Sequence, residues 1–179
     1  MSEKICVVAG VGPGTGAALS RRFAAGGYRV AMLARDAERL AALEREIAGS
    51  RGYAVDVTEA ARVKEVVERI GSDLGTPSVL VHNAVSGHFG EFLEVAPEAL
   101  EQTFRTNVLS LMLLGQAIVP RMLAAGRGAI RGESCARRHR PPLRNRDPLG
   151  GSGALARGGA RGGAVRLRHL DHQPRLHAG

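Results

Sequence analysis

Two cysteines in 179 residues, Cys6 and Cys135, are too few and too far apart for a disulfide framework or a metal-binding spacing. No apolar run reads as long enough to cross a bilayer. No basic-then-apolar leader with a small-residue cleavage site precedes the first apolar segment. Together these lead us to expect a soluble protein in the reduced cytoplasm rather than a secreted, stapled scaffold. Tryptophan is absent, tyrosine occurs only at Tyr28 and Tyr53, and lysine only at Lys4 and Lys64. Acidic excess is missing too: the net charge is +8, but residues 1–130 hold 14 basic and 14 acidic residues. The whole surplus lies in residues 131–179, with 11 arginines against Glu133, Asp147 and Asp171.

What is present begins with KICVVAGVGPGTGAA, from Lys4 to Ala18. A short apolar run, Ile5 to Ala9, breaks into Gly10, Gly12, Gly14 and Gly16 and then into helix-compatible residues. That is the pattern of a strand, a tight turn and a helix start. Glycines let the backbone take positive φ and approach a pyrophosphate with no Cβ in the way. The first helical N–H groups then face the anion with the positive end of the helix dipole. The general G-x-G-x-x-G fingerprint fits no register here, because Thr15 or Ala17 would have to be glycine. The spacing that fits is G-x-x-x-G-x-G at Gly10, Gly14 and Gly16.

Along residues 1–130, strand and helix patterns alternate with short connections. A helix is expected over 17–25, ended by Gly26-Gly27, and an apolar strand over 28–34. Asp36 is placed to cap a helix running to about Ala48. A third strand is expected over 52–57, followed by a helix capped by Thr58, running to Ile70 and terminated by Gly71. A fourth strand is expected over 77–84. Pro97 suits the first turn of a long helix that passes Asn107 towards Ala125, with Pro120 as a possible bend. Gly128 to Ile130 opens a fifth strand. This alternation predicts an α/β doubly wound parallel sheet covered by helices on both faces. The glycine turn, Arg35, Asp56 and Asn83-Ala84 then all fall at the C-terminal ends of strands, where such sheets bind ligands.

Over residues 4–130, about seven-tenths of the chain, the sequence resembles the short-chain dehydrogenase/reductase family. The resemblance is carried by the glycine turn from Ala9-Gly10 through Gly16, by Asp56-Val57, by His82-Asn83-Ala84 and by Asn107, in the right order and at the right intervals. Two positions depart from the family pattern: Ala9 stands where threonine is usual, and Val85 where the N-A-G motif ends in glycine. The resemblance implies a Rossmann domain over 1–130 and a nicotinamide cofactor held by Gly10, Gly14, Thr15, Gly16, Arg35, Asp56, Val57, Asn83 and Ala84. Asp56 would meet the adenine amino group, with Val57 supplying a backbone contact. Arg35 stands where enzymes that prefer the unphosphorylated cofactor place a carboxylate, and a guanidinium suits a 2′-phosphate, so NADP is expected over NAD. Asn107 would be the helix-kinking, water-holding member of a proton relay. The implied reaction is hydride transfer between NADP(H) and a small carbonyl or alcohol. His82 and His88 lack metal partners at useful spacing and are read as structural.

The family's chemistry also requires Tyr-x-x-x-Lys after the fifth strand, with the lysine lowering the phenol's pKa for proton exchange. With tyrosine only at Tyr28 and Tyr53 and lysine only at Lys4 and Lys64, that motif is absent in any alignment. The chain as written is therefore expected to bind cofactor without turnover. Residues 131–179 contain no Ile, Thr, Phe, Tyr, Lys, Met or Trp and a single β-branched residue, Val165. We expect an irregular Arg/Gly-rich tail with no sixth strand, and a sheet that stops after about five. Ser134, near where the family's serine falls, is read as incidental without the tyrosine and lysine. We expect translation in a shifted frame of a GC-rich gene, or an equivalent error in the gene's reading, to account for the change, although the same shift does not recover Tyr-x-x-x-Lys upstream. The codons for the last fifteen residues, shifted by one base, permit Tyr-Gly-Phe-Val-Thr-Ser-Thr-Ile-Asn-Pro-Gly-Phe-Met-Arg, which resembles the family's sixth strand and the turn after it. The alternative is a non-catalytic nucleotide- or RNA-binding module using the basic tail. Against RNA binding, the tail lacks aromatic residues on which bases stack. The resemblance implies dimers or tetramers formed through helices that include one missing from this sequence, so the same assembly is not expected here.

Overall fold

A computed structural model of the chain describes residues 4–132, apart from 89 and 92, together with residues 165–166. The first strand, β1 (Ile5–Ala9), is buried along its whole length. It lies at the centre of a parallel sheet, between β2 (Arg29–Ala34) and β4 (Val79–His82), with Val7 opposite both Ala31 and Leu80. β3 (Ser50–Ala54) pairs with β2, and β5 (Ala129–Gly132) with β4. The order β3-β2-β1-β4-β5 reverses direction between β1 and β4, and that switch point opens a crevice at the strand C-termini.

Two apolar layers follow from the two-residue period of the strands. Cys6, Val8, Val30, Met32 and Val81 face α1 (Thr15–Ala25) and α2 (Ala37–Glu46), where Ala17, Leu40 and Leu43 close the layer. Val7, Ala9, Ala31, Leu33 and Leu80 face the opposite way, onto Val63, Val66, Val67 and Ile70 of α3 (Ala60–Asp73). On that side Leu114, Ile118 and Met122 of α5 (Ser110–Ala124) are fully buried as well.

Several expected boundaries move. The third strand starts at Ser50 and ends at Ala54, so Asp56 and Val57 lie in the loop beyond it. Thr58 is not the cap of α3. Its N–H and hydroxyl both go to the Asp56 carboxylate, and Glu59 holds the cap position without a side-chain bond. Gly71 does not end α3, which runs to Asp73; the break comes at Gly75, whose φ of +106° a side chain would resist. Asp36 does cap α2, accepting from the Arg39 N–H at 2.9 Å, but the helix ends at Glu46.

The fifth strand is not the last. Residues Val165–Arg166 add a two-residue strand, β6, antiparallel to β5, with Val165 opposite Ile130. A free sheet edge offers unpaired backbone groups to any extended segment, and Val165 is the single β-branched residue of the tail. The serine at Ser134 and the proposed change of reading frame lie outside the described residues. The reading of the apolar runs also needs correction. Within the continuous helical stretch Pro97–Ala124 an 18-residue window reaches a mean hydropathy of 1.4, long and apolar enough by length and composition to cross a membrane. One face of it packs on the sheet, while Leu100, Phe104, Val108 and Met112 are exposed.

That stretch is not one α-helix. α4 (Pro97–Phe104) gives way to a π-helical turn at Arg105–Leu109 before α5 begins. Within the turn the Ser110 N–H bonds Arg105 rather than Thr106, and the Ser110 hydroxyl donates to the Thr106 carbonyl instead. With its proton committed there, Ser110 Oγ accepts from Nε2 of His82 at 2.6 Å, which assigns the ring proton to Nε2. Both residues are buried, so the pair ties the end of β4 to the wide turn.

Replacing Ser110 with alanine should lower stability by about 1–3 kcal/mol, the penalty for stranding a buried polar partner, read as a lower urea midpoint. Burial holds His82 below its ordinary value of 6.5, outweighing a hydrogen bond to its own backbone. The unfolded chain therefore takes up that proton first. Stability should fall as pH drops below 6.5, level off below the folded value, and lose this slope in His82→Gln.

Candidate cofactor site

The glycine turn is built by close packing. Gly10 has φ of +87°, and a Cβ there would overlap the backbone of Asn83 and Ala84. At Gly16 an added Cβ would come within 2.5 Å of the Gly10 carbonyl oxygen. The turn is then pinned from both sides: Gly10 and Val11 donate to the Leu33 carbonyl at 2.9 and 3.0 Å, and Asn83 Nδ2 donates to the Gly10 carbonyl at 2.7 Å. Gly12 is different. Nothing lies within 4 Å of where its Cβ would stand, and it faces a cleft of about 790 Å³. Thr15 and Gly16, at the start of α1, have by helix geometry no intrahelical carbonyl for their N–H groups, which leaves them for an anion.

The cleft brings together eight of the nine expected cofactor residues: Gly10, Thr15, Gly16, Arg35, Asp56, Val57, Asn83 and Ala84. Gly14 does not line it; it is the exposed N-cap residue of α1. Asn107 does not line it either. Its carboxamide is committed to the backbone of Ser86, accepting from that N–H at 2.7 Å and donating to that carbonyl at 2.9 Å. The π turn thus aims Asn107 at the loop after β4, and Ser86, not Asn107, reaches the cleft.

Sequence reasoning missed Gly12, Asp36, Arg39, Ser86, Gln102 and Thr106 as lining residues. For Asp36 and Arg39 a signal was available: their i,i+3 spacing at a helix start, where the structure pairs them at 2.9 Å. For Gln102 and Thr106 there was none, since only the folding of α4 back over the crevice brings them near. Val85, in place of the expected glycine, lines the cleft and is half exposed.

The electrostatics centre on the far end of the crevice. Burial raises the Asp56 carboxyl, but the Thr58 N–H at 2.9 Å, the Thr58 hydroxyl at 2.7 Å and the charge of Arg35 together hold it below the ordinary carboxylate value. Asp56 is thus an ionised acceptor at neutral pH. Among the described residues lining the cleft there is no tyrosine and no lysine. Tyr53 donates its hydroxyl to Asp73 Oδ2 at 3.0 Å on the α3 side of the sheet, and Tyr28 packs edge-on against Phe23. His88 is exposed, 3.4 Å from the Thr103 hydroxyl.

The chain is 32% identical over 134 residues to a D-threitol dehydrogenase of Mycolicibacterium smegmatis, covering 73% of this chain and 52% of that one. It is 31% identical over 126 residues to mouse (Mus musculus) L-xylulose reductase, covering 70% and 50%. The chain therefore spans about half the length of these curated relatives. Among solved structures, a metagenomic short-chain oxidoreductase in complex with NADP superimposes with a TM-score of 0.68 at 34% identity, over 72% of this chain and 61% of that one. L-sorbose reductase from Gluconobacter frateurii, complexed with NADPH and L-sorbose, gives 0.69 at 32% identity, over 73% and 52%. Residues 4–131 match the sequence profile of the short chain dehydrogenases, and the chain belongs to that family.

Proposed function

We propose that this chain binds NADP(H) at the crevice between β1 and β4, as the cofactor-holding half of an oxidoreductase acting on a small carbonyl or alcohol, and that the 179-residue chain itself does not turn over. The observation that carries the reading is the open space over Gly12, bounded by the α1 N-terminus on one side and by Arg35 and Asp56 on the other. The solved relatives with NADP or NADPH bound support the choice of cofactor.

The residues fit the group. Thr15 and Gly16 N–H groups would hold the pyrophosphate, the Arg35 guanidinium the 2′-phosphate, and the ionised Asp56 the adenine amino group. Asn83 braces the turn through Gly10, and Asn107 fixes the Ser86 backbone at the opposite end of the crevice. The bound cofactor would supply the hydride. With tyrosine only at Tyr28 and Tyr53 and lysine only at Lys4 and Lys64, the sequence offers no Tyr-x-x-x-Lys pair to exchange the substrate proton. This is why we assign binding without turnover. The buried free thiol of Cys6 suits the reduced cytoplasm that we propose as its setting.

Titration of the purified chain with NADPH should give saturable enhancement of cofactor fluorescence, weaker with NADH, and no NADPH consumption with small ketones or aldehydes. Arg35→Ala should weaken NADPH binding about tenfold or more, the worth of a hydrogen-bonded charge pair, and leave NADH nearly unchanged. Gly12→Val should abolish binding of both cofactors without moving the urea midpoint, because the new side chain meets only the cleft. A Gly12→Val chain that still binds NADPH would sink the assignment of the cradle.

A further inference from the structure

Arg35 is followed directly by an acid. Asp36 lies 20 positions after Gly16, on the rim of the crevice beyond β2, and lines the cleft with Arg35 and Arg39. A carboxylate at the end of the second strand accepts hydrogen bonds from the ribose hydroxyls and repels a 2′-phosphate. Taken by charge alone, Arg35 and Asp36 would therefore select opposite cofactors from adjacent positions.

The structure shows what decides between them. Asp36 Oδ1 accepts the Arg39 N–H at 2.9 Å as the α2 cap, and Oδ2 lies 2.9 Å from Arg39 Nη2. Both carboxylate oxygens are thus engaged by one residue. The two side chains are about two-fifths exposed, 41% for Arg39 and 40% for Asp36. An ion pair so open to water adds little to stability. Its effect is local: at the rim it cancels the negative charge that stands next to Arg35.

We infer that Arg39 is a specificity-determining residue, which masks Asp36 so that Arg35 sets the preference for the 2′-phosphorylated cofactor. This rests on the NADP reading above. Without Arg39, Asp36 is free to act as the ribose-hydroxyl acceptor that favours NAD.

The test compares dissociation constants for NADPH and NADH, by cofactor fluorescence, in the full chain and in Arg39→Gln, Asp36→Asn and the double variant. Asparagine caps a helix as well as aspartate, and glutamine is a good helix former, so α2 is kept in all of them. Equal urea midpoints check this. Arg39→Gln should weaken NADPH about five- to tenfold, the worth of an unmasked like charge beside a phosphate in exposed surroundings, with NADH unchanged or tighter. Adding Asp36→Asn should bring NADPH back to within about twofold of the parent, since the charge Arg39 had masked is gone. An unchanged NADPH/NADH ratio in Arg39→Gln overturns the inference. So does a loss that Asp36→Asn fails to restore, which would make Arg39 a direct phosphate ligand. Failure of the underlying reading looks different: the unsubstituted chain itself would bind NADH as tightly as NADPH, or neither.

Discussion

The closeness of β1 to β4 is the constraint on which the crevice depends. Their adjacency brings the Gly10 backbone against Asn83 and Ala84, at a distance that admits no Cβ. From that one contact follow the positive φ of Gly10, the hydrogen bond from Asn83 and the packing of Gly16 beneath the turn. α1 is thereby aimed so that its first amides face the opening. The glycines at positions 10 and 16 serve the protein's own packing; the one at position 12 borders the open crevice.

A second constraint acts from the other end. The π turn at Arg105–Leu109 shifts one backbone hydrogen bond, and the Ser110 hydroxyl stands in for the amide that the Thr106 carbonyl loses. His82 completes the arrangement from the strand below. Without that shift Asn107 would point elsewhere on the helix, and the Ser86 loop would lack its clamp. This end of the crevice is thus held by a departure from regular helix, stabilised by the buried His82–Ser110 bond and the part-buried bonds of Asn107 and Ser110.

Much of this could be read from the residues, and the parts that could not share a cause. The run Ile5–Ala9, the cap at Asp36 and the proline at the start of α4 announce themselves locally, through periodicity and capping chemistry. The third strand was misplaced because GYAVDV has the better β composition. The register with β2 instead pairs Ser50 with Val30 and ends at Ala54. Thr58 looked like a cap because its spacing allowed it, but a carboxylate two residues earlier competes for the same N–H and hydroxyl. Asn107 stands out in the sequence only through the resemblance, and its partner, Ser86, is 21 residues away and carries no mark in the sequence. Arg39, despite its spacing from Asp36, looks like an ordinary surface arginine three residues into a helix until Asp36 is seen to line the cleft.

The short β6 bears on what the sheet can become. Parallel sheets of this kind grow when a strand returns after a helical crossover and enters in the same sense as its neighbour. Val165 and Arg166 instead run against Ala129 and Ile130, engaging the outward edge of β5 in the opposite sense. A parallel sixth strand would need the same backbone groups, in a different register. In this chain the growing edge is already occupied, and extending the sheet in the family's direction would first require displacing a segment of the chain's own tail.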